Sequence, residues 1–211
     1  FLLAIAVRSL AQAICGWNGP GPYTIANNYL EAAGENVMFG GSPAAIPNLV
    51  PTDITMRSNY FFKPLSWYVN DPSYAGIHWG VKNLLELKNA RRVVVDGNIF
   101  ENNWTDGQAG RSIVFTPRPS DSGFAAVIED VQFTNNIVRN VGSGMLLLGA
   151  DQAPAPTDTR LRRVRVANNL FENIDGPRFG SNGAFLTVVN GTEDVTIEHN
   201  TAIQTGNIII A

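Results

Sequence analysis

One pattern recurs along the chain and restricts the fold more than any other feature: an asparagine with apolar residues at fixed positions around it. Its six copies are centred on Asn28, Asn59, Asn98, Asn136, Asn169 and Asn200. Apolar residues stand five and three positions before the asparagine and two positions after it, as Val93, Val95 and Phe100 do around Asn98. A period of two predicts a β-strand with one face directed inward. Each copy therefore predicts a strand that ends in a corner.

The spacing of the copies selects the architecture. Neighbouring asparagines are 31, 39, 38, 33 and 31 residues apart, as in solenoids and propellers. A second apolar run, such as "NLLELKN" or "GMLLLGA", lies between copies. A propeller blade needs four strands, for which the shortest repeats have little room, and β-branched strands of period two disfavour helical solenoids. We therefore predict an all-β chain, a right-handed parallel β-helix with a single strand path and about six turns.

The repeated asparagine has a structural explanation in such a fold. At a corner between strands, Asn tolerates the left-handed backbone conformation. Its amide can also hydrogen bond to the turn backbone or to the asparagines of the neighbouring turns. We therefore expect the six asparagines to support the architecture rather than catalysis.

Composition narrows the classes of partner. The chain has 211 residues, of which 45% are hydrophobic and 16% charged, which suits one ordered domain. A net charge of −3 with scattered Lys and Arg offers no basic field for nucleic acid. No apolar run reaches the ~18 residues of a membrane-spanning helix. The single cysteine, Cys15, permits no internal disulfide, and we expect it to be a small buried residue.

The two ends of the chain carry expectations of their own. Residues 1–15 form a capping or leader-like segment, which is consistent with a trimmed secretion signal, a capping helix or first strand, or residues left over from cloning. Residues 16–211 form the β-helix domain. The chain stops in the apolar run "GNIIIA" with no polar closing segment. Solenoids need capped ends, so we expect either a fragment of a longer β-helix or self-association through this uncapped turn.

A family resemblance is carried by the corners "NNYLEA", "GNIFENN" and "NNLFEN" and by the stretch "GWNGPGPYTIANNYLEAAGENVMFGG". The chain resembles bacterial right-handed β-helix repeat proteins of the pectate-lyase-like superfamily, in an uncharacterised branch of it. The resemblance extends from about Gln12 to the end of the chain. It implies a carbohydrate-active protein that is secreted or periplasmic. It does not fix the activity, because the superfamily includes lyases, glycoside hydrolases, epimerases, esterases and adhesins.

The longest insertion between repeats, residues 62–82, is rich in aromatic residues. It contains Trp67, Tyr68, His78 and Trp79, which we predict to be substrate-binding because exposed rings beside polar groups suit the stacking of a sugar. The alternative is a loop that folds back on the solenoid, with its aromatic rings packed as a small satellite core.

The alternation of inward and outward residues in the second apolar run of each repeat suggests a charged groove. In "LLELKN" it directs Glu86 and Lys88 outward, and in "SIVFTPR" it directs Thr116 outward, with Arg118 just beyond. We expect Glu86 and Lys88 to face Thr116 and Arg118 across one turn. A carboxylate beside two cations could serve β-elimination or acid-base hydrolysis. The alternative is a solvated ladder of ion pairs.

Corner residues add further candidates: Asp106 and Asp151 as acid or base, and Arg178 as a charge stabiliser. Asp-Gly pairs are also ordinary turn residues. The sequence has no Asp/Glu cluster of the calcium-binding kind and no zinc motif, so we predict no cofactor, although calcium stays open.

We therefore predict a protein that cleaves or binds a polysaccharide in a surface groove, as a glycoside hydrolase or polysaccharide lyase. The alternative is a non-catalytic carbohydrate-binding or structural β-helix, or a fragment of a larger enzyme.

Overall fold

The computed structural model describes residues 3–5, 10–42, 46–119, 124–151 and 158–211. Short strands dominate this part of the chain, as the period-two pattern predicts. The strands are β1 (Leu3–Ile5), β2 (Ile14–Gly16), β3 (Tyr23–Ala26), β4 (Tyr29–Glu31), β5 (Val37–Phe39), β6 (Thr52–Arg57), β7 (Tyr60–Phe62), β8 (Leu85–Leu87), β9 (Ala90–Asp96), β10 (Ile99–Asn103), β11 (Arg111–Phe115), β12 (Val127–Thr134), β13 (Ile137–Val141), β14 (Ser143–Leu148), β15 (Arg160–Ala167), β16 (Leu170–Ile174), β17 (Leu186–Val189), β18 (Glu193–Glu198), β19 (Thr201–Gln204) and β20 (Ile209–Ile210). The helical elements are a 3-10 turn (Leu65–Trp67) and the short helix α1 (Gly176–Phe179).

The strands form three stacked parallel sheets. Sheet A has the order β1-β4-β7-β10-β13-β16-β19, sheet B β2-β5-β8-β11-β14-β17-β20, and sheet C β3-β6-β9-β12-β15-β18. Strands that neighbour each other within a sheet are roughly one repeat apart in sequence, so the chain visits the three sheets in turn before it returns to the first. This all-β arrangement is consistent with the predicted parallel β-helix.

The interior is built from ladders of the repeated apolar positions. In sheet A, Phe61, Phe100 and Phe171 lie in the same ladder as Leu30 and Val138, and all are fully buried. The Phe61 and Phe100 rings stack with their centroids 4.3 Å apart. Sheets B and C contribute equivalent ladders to the same core. Each turn thus buries its apolar face against its neighbours, as a solenoid requires.

The predicted asparagine ladder is present at the corner between sheets C and A. Asn98 Nδ2 donates to Asn136 Oδ1 at 3.1 Å and to the Met56 carbonyl at 3.0 Å. Asn98 Oδ1 accepts from the backbone N–H of Asn59 at 2.9 Å and from Asn59 Nδ2 at 3.0 Å. The hydrogen-bonding prediction is therefore confirmed for both kinds of partner.

The backbone prediction for these asparagines is wrong. The left-handed residue is the one before each ladder asparagine, for example Gly97 (φ 65°) before Asn98 and Asn135 (φ 57°) before Asn136. The preceding residue makes the turn, which leaves the ladder asparagine free to aim its amide along the stack. The sequence reflects this, because the preceding positions are held mainly by residues that tolerate positive φ.

The ends of the sheets bear on two further expectations. β1 pairs with β4 in sheet A and β2 pairs with β5 in sheet B. Cys15 on β2 is exposed, so its expected burial is wrong: it lies in register with Met38 on the outer face of the end strand of sheet B. At the opposite end, Ile203, Ile208 and Ile209 are exposed. Self-association through that end stays a prediction.

Candidate functional site

The aromatic insertion folds back on the solenoid. Trp67 and Tyr68 are only 9% and 5% exposed and pack with Trp104 and Phe179 in a second apolar cluster. Trp67 stacks on Trp79 with ring centroids 5.0 Å apart, and Tyr68 contacts Trp104 at the same centroid distance. These rings therefore meet protein rather than solvent, as in the satellite-core alternative. Trp67 and Tyr68 present no open face for a sugar, whereas the half-buried Trp79 reaches the surface.

Polar contacts hold the insertion in place. His78 Nε2 lies 2.7 Å from Asp106 Oδ1, and the backbone N–H of Val81 donates to Asp106 Oδ2 at 2.8 Å. Tyr68 Oη donates to the Arg178 carbonyl at 2.5 Å, and Arg178 Nη2 lies 3.5 Å from Asp71 Oδ2. Asp106 and Arg178 thus connect the insertion to neighbouring turns. In the described residues they make no contact with Glu86 or Lys88.

Glu86 and Lys88 lie on the outer side of sheet B, with Lys88 Nζ 3.3 Å from Glu86 Oε1. A second glutamate that the sequence analysis missed, Glu35, follows β4 and shares a hydrogen bond with Glu86. Glu35 also accepts from Gln12 Nε2 at 2.9 Å and lies 3.4 Å from Lys82 Nζ. Both carboxyl groups are buried, at 1% exposure for Glu35 and 3% for Glu86.

Their environments separate the two pKa values. Burial raises the pKa of Glu86 to about 7, against the opposing charge of Lys88. Burial acts in the same direction on Glu35, but hydrogen bonds from Gln12, the backbone and Glu86, together with the charge of Lys82, bring its pKa below the usual value. Below about pH 7 the pair therefore holds a proton on Glu86 beside an ionised Glu35. This is the electrostatic pattern of an acid and its partner, placed where solvent does not reach.

The predicted facing of Glu86 and Lys88 with Thr116 and Arg118 is wrong by two residues along the strand. Leu85 pairs with Ile113, so Glu86 stands beside Val114 and Lys88 falls beside Thr116. The ladder of inward Leu and Ile residues sets this register. Arg118 reaches the next turn instead, where its Nε lies 3.5 Å from Asp151 Oδ2. The structure therefore places the four predicted charged residues on adjacent turns as two separate ion pairs, Glu86 with Lys88 and Arg118 with Asp151.

An open groove runs along the outer face of sheet C. Two connected cavities of about 430 and 330 Å³ share Asp130 and Gln132 in their linings. One side is a column of charges that alternate in sign and all have left-handed backbone conformations: Asp53, Arg92, Asp130, Arg163 and Asp194. We call this feature the sheet C groove.

The charges of the column are mostly paired with each other. Arg92 Nε donates to Asp53 Oδ1 at 2.7 Å, and Arg163 Nε donates to Asp130 Oδ1 at 2.6 Å. These hydrogen bonds, ahead of other effects, lower the pKa of both aspartates. Asp194 has no side-chain partner among the described residues. The paired members are held in fixed positions, and Asp194 is available to a ligand.

Beside the column, a buried carboxylate organises the arginines. Glu129 is 3% exposed, and its Oε atoms lie 2.5 Å from Arg91 Nε, 2.7 Å from Arg162 Nε and 3.1 Å from Arg163 Nη2. Arg160 Nε lies 3.9 Å from it. One glutamate therefore holds four guanidinium groups along the edge of the groove.

The floor of the groove is mainly polar, and most of its polar side chains are unused by the described part of the protein; the exception is Arg165, whose Nε donates to Glu198 Oε1 at 2.7 Å. Its side chains come from successive strands at one ladder position: Thr55, Val94, Gln132, Arg165 and Thr196. Thr55, Gln132 and Thr196 have no side-chain hydrogen-bond partner in the described part of the chain. Their donors and acceptors are free for a ligand.

The sequence contained a signal for this groove. The charged column stands six residues before the ladder asparagines, and the floor stands four residues before them. At the first position the residue alternates between Asp and Arg in five successive repeats. Alignment on the asparagines shows this alternation, which the apolar positions alone do not reveal.

Comparison with known proteins found no matching family model, no matching curated protein and no matching solved structure. Over the described ranges, no group of three or more His, Cys, Asp or Glu residues is placed to hold a metal ion. Within the same ranges no helix has the length and apolar character needed to cross a membrane.

Proposed function

We propose that this chain is a right-handed parallel β-helix of the pectate-lyase-like kind, with one turn per repeat, that binds a linear polysaccharide along the sheet C groove. The observation that carries the proposal is the groove itself, in which the floor side chains Thr55, Gln132 and Thr196 have no partners within the described residues. The resemblance of the corner motifs to secreted bacterial proteins supports a secreted or periplasmic location.

The shape of the groove suits a polymer. It crosses five neighbouring strands, β6, β9, β12, β15 and β18. Parallel strands are about 4.8 Å apart, so the groove extends about 19 Å along the stack. Side chains repeat along it at one ladder position, and a ligand with repeating units can meet equivalent groups at regular intervals. An extended chain fits this geometry better than a compact ligand does.

The chemistry of the groove suits sugar hydroxyls. Carboxylates accept hydrogen bonds and guanidinium groups donate them, and hydroxyl and amide groups do both. Asp130 and Arg163 are fixed by their ion pair, so they can bind hydroxyls with little loss of side-chain entropy. Val94 is the one apolar residue of the floor and can contact the C–H face of a sugar ring. The charges nearly balance, which favours a neutral glycan over a strongly anionic one.

Cleavage is the second candidate function, and the observation that favours it is the Glu35–Glu86 pair. Glu86 carries the proton that a general acid needs. The pair is buried on sheet B, away from the groove, which supports binding over hydrolysis. A hydrolase would have to bring substrate to Glu86 by opening the outer face of sheet B.

Filling the groove tests the proposal. Thr55→Trp and Thr196→Trp each place a large ring on the floor, and Thr201→Trp is the matched control on the exposed outer face of sheet A. Affinity electrophoresis through a panel of neutral and acidic polysaccharides should show the unmodified chain retarded by at least one linear glycan. We expect the two groove variants to lose about tenfold or more in affinity and the control to keep it.

The proposal fails if no polysaccharide retards the chain, or if the groove variants bind as well as Thr201→Trp. Reducing-end and unsaturated-uronate assays on the same panel separate binding from hydrolysis and elimination. If Glu86→Gln abolishes turnover and Thr196→Trp does not affect it, the function would be catalysis at the Glu35–Glu86 pair of sheet B and would not involve the groove.

A further inference from the structure

A second, smaller cavity lies apart from the sheet C groove, where the turn after β10 meets β11 and the turn after α1. Its volume is about 300 Å³ and it is lined by Thr105, Ala109, Arg111, Gly180, Ser181 and Asn182. We call it the Arg111 pocket. Its lining contains an arginine and no Asp or Glu, unlike the groove, where every arginine has an acidic neighbour.

The arginine of this pocket is unusual within the protein. Among the lysines and arginines that the structure describes, Arg111 alone has a side chain with neither a hydrogen bond nor an ion pair. It is half-buried, and this burial lowers the pKa of its guanidinium with no carboxylate to offset the effect. Partial desolvation of an unpaired cation costs free energy, which an anionic ligand would recover.

The pocket also offers a free amide donor. Asn182 Oδ1 accepts from Ser143 Oγ at 2.8 Å and from the backbone N–H of Ala184 at 3.2 Å. A backbone N–H can only donate, so the Asn182 atom that it meets must be the amide oxygen. The other amide atom, Nδ2, has no acceptor among the described residues. The hydroxyls of Thr105 and Ser181 instead donate to the carbonyls of Gly180 and Ala109. The unused groups of the pocket are thus donors.

We propose that the Arg111 pocket is a binding site for the carboxylate group of a small ligand, such as a uronic acid. The planar guanidinium can donate two parallel hydrogen bonds to the two carboxylate oxygens. The Asn182 amide supplies a third donor. Sulfate and phosphate share the oxyanion chemistry but lack the planar match, so they should bind more weakly. The inference does not depend on the sheet C groove.

Calorimetric titration of the full chain with galacturonate, galactose, sulfate and phosphate tests the assignment. We expect saturable binding of galacturonate, none of galactose, and weaker binding of the two inorganic anions. Arg111→Gln should weaken galacturonate binding by about tenfold or more, because it removes a charged bidentate contact. Arg57→Gln is the control: Arg57 is an exposed arginine at the end of β6 in sheet C and does not line the pocket.

A second variant keeps the result interpretable if Arg111→Gln proves poorly folded. Asn182→Asp retains an oxygen for the Ser143 and Ala184 donors but replaces the free amide with a carboxylate in the same pocket. We expect it to abolish galacturonate binding and to raise the melting temperature, and the rise should disappear when Arg111→Gln is added. Absence of saturable anion binding, unchanged binding in either pocket variant, or tighter binding of sulfate or phosphate than of galacturonate would each overturn the carboxylate site.

Discussion

Replacement of Asn98 by alanine tests the asparagine ladder at its centre. The side chain makes four hydrogen bonds, two donated to Met56 O and Asn136 Oδ1 and two accepted from Asn59. Its removal leaves the buried backbone N–H of Asn59 without that acceptor. An unsatisfied buried donor costs about 1–3 kcal/mol, and each further lost bond about 1 kcal/mol. Asn98→Ala should therefore lower the free energy of unfolding by about 4–6 kcal/mol.

Asn28, at the end of the ladder, gives the matched comparison. Its side chain donates one ladder bond, to Asn59 Oδ1 at 3.0 Å, and accepts none within the described residues. Asn28→Ala should therefore cost only about 1 kcal/mol. Urea denaturation followed by tryptophan fluorescence and by circular dichroism measures both, with coincident transitions as the check on two-state behaviour. Equal losses in the two variants would refute the argument that burial and two-sided bonding determine the contribution of a ladder asparagine.

Three further predictions concern charge and packing. The Glu86 carboxyl has a pKa of about 7 against an ordinary value of 4.5, so the folded state holds this proton more tightly than the unfolded state does. Stability should therefore fall as the pH rises from about 4.5 to 7. In thermal melts recorded over this pH range, Glu86→Gln should make the melting temperature less dependent on pH. Glu129→Gln leaves four arginines around a neutral group and should destabilise the protein by about 3–5 kcal/mol at low salt and by less at high salt; a loss independent of salt would count against the electrostatic explanation. Trp67→Ala removes the stack on Trp79 and should speed tryptic cleavage after Lys82, at the end of the insertion, while the far-ultraviolet spectrum stays unchanged. An unaltered digestion pattern would contradict the packing role.

The core could be predicted from the sequence because its determinants are local and repeated. Val95 and Phe100 stand at fixed distances from Asn98, and their equivalents recur in each copy. In a parallel stack, equal positions in successive repeats pair with each other, so local alternation identifies the inward residues without knowledge of distant contacts.

The candidate sites could not be derived in the same way. Glu35 meets Glu86 from a turn outside the repeated strands, and nothing in its local sequence marks a partner 51 positions away. The burial of Trp67 and Tyr68 depends on Trp104 and Phe179, which belong to later turns. The left-handed residues of the charged column do not follow from β-propensity, since Arg92 and Arg163 have no general preference for positive φ.

The central claim is that a linear polysaccharide binds along the outer face of sheet C. The position of the ligand can be measured directly by amide chemical-shift mapping of the isotope-labelled chain. The chain is titrated with a linear oligosaccharide of the polysaccharide that retards it in affinity electrophoresis. We predict saturable shifts that follow the floor of the groove, at Thr55, Gln132 and Thr196 and their strand neighbours, with little change on sheets A and B. Shifts that centre on Glu86 and sheet B, and leave the floor of the groove unaffected, would contradict the account.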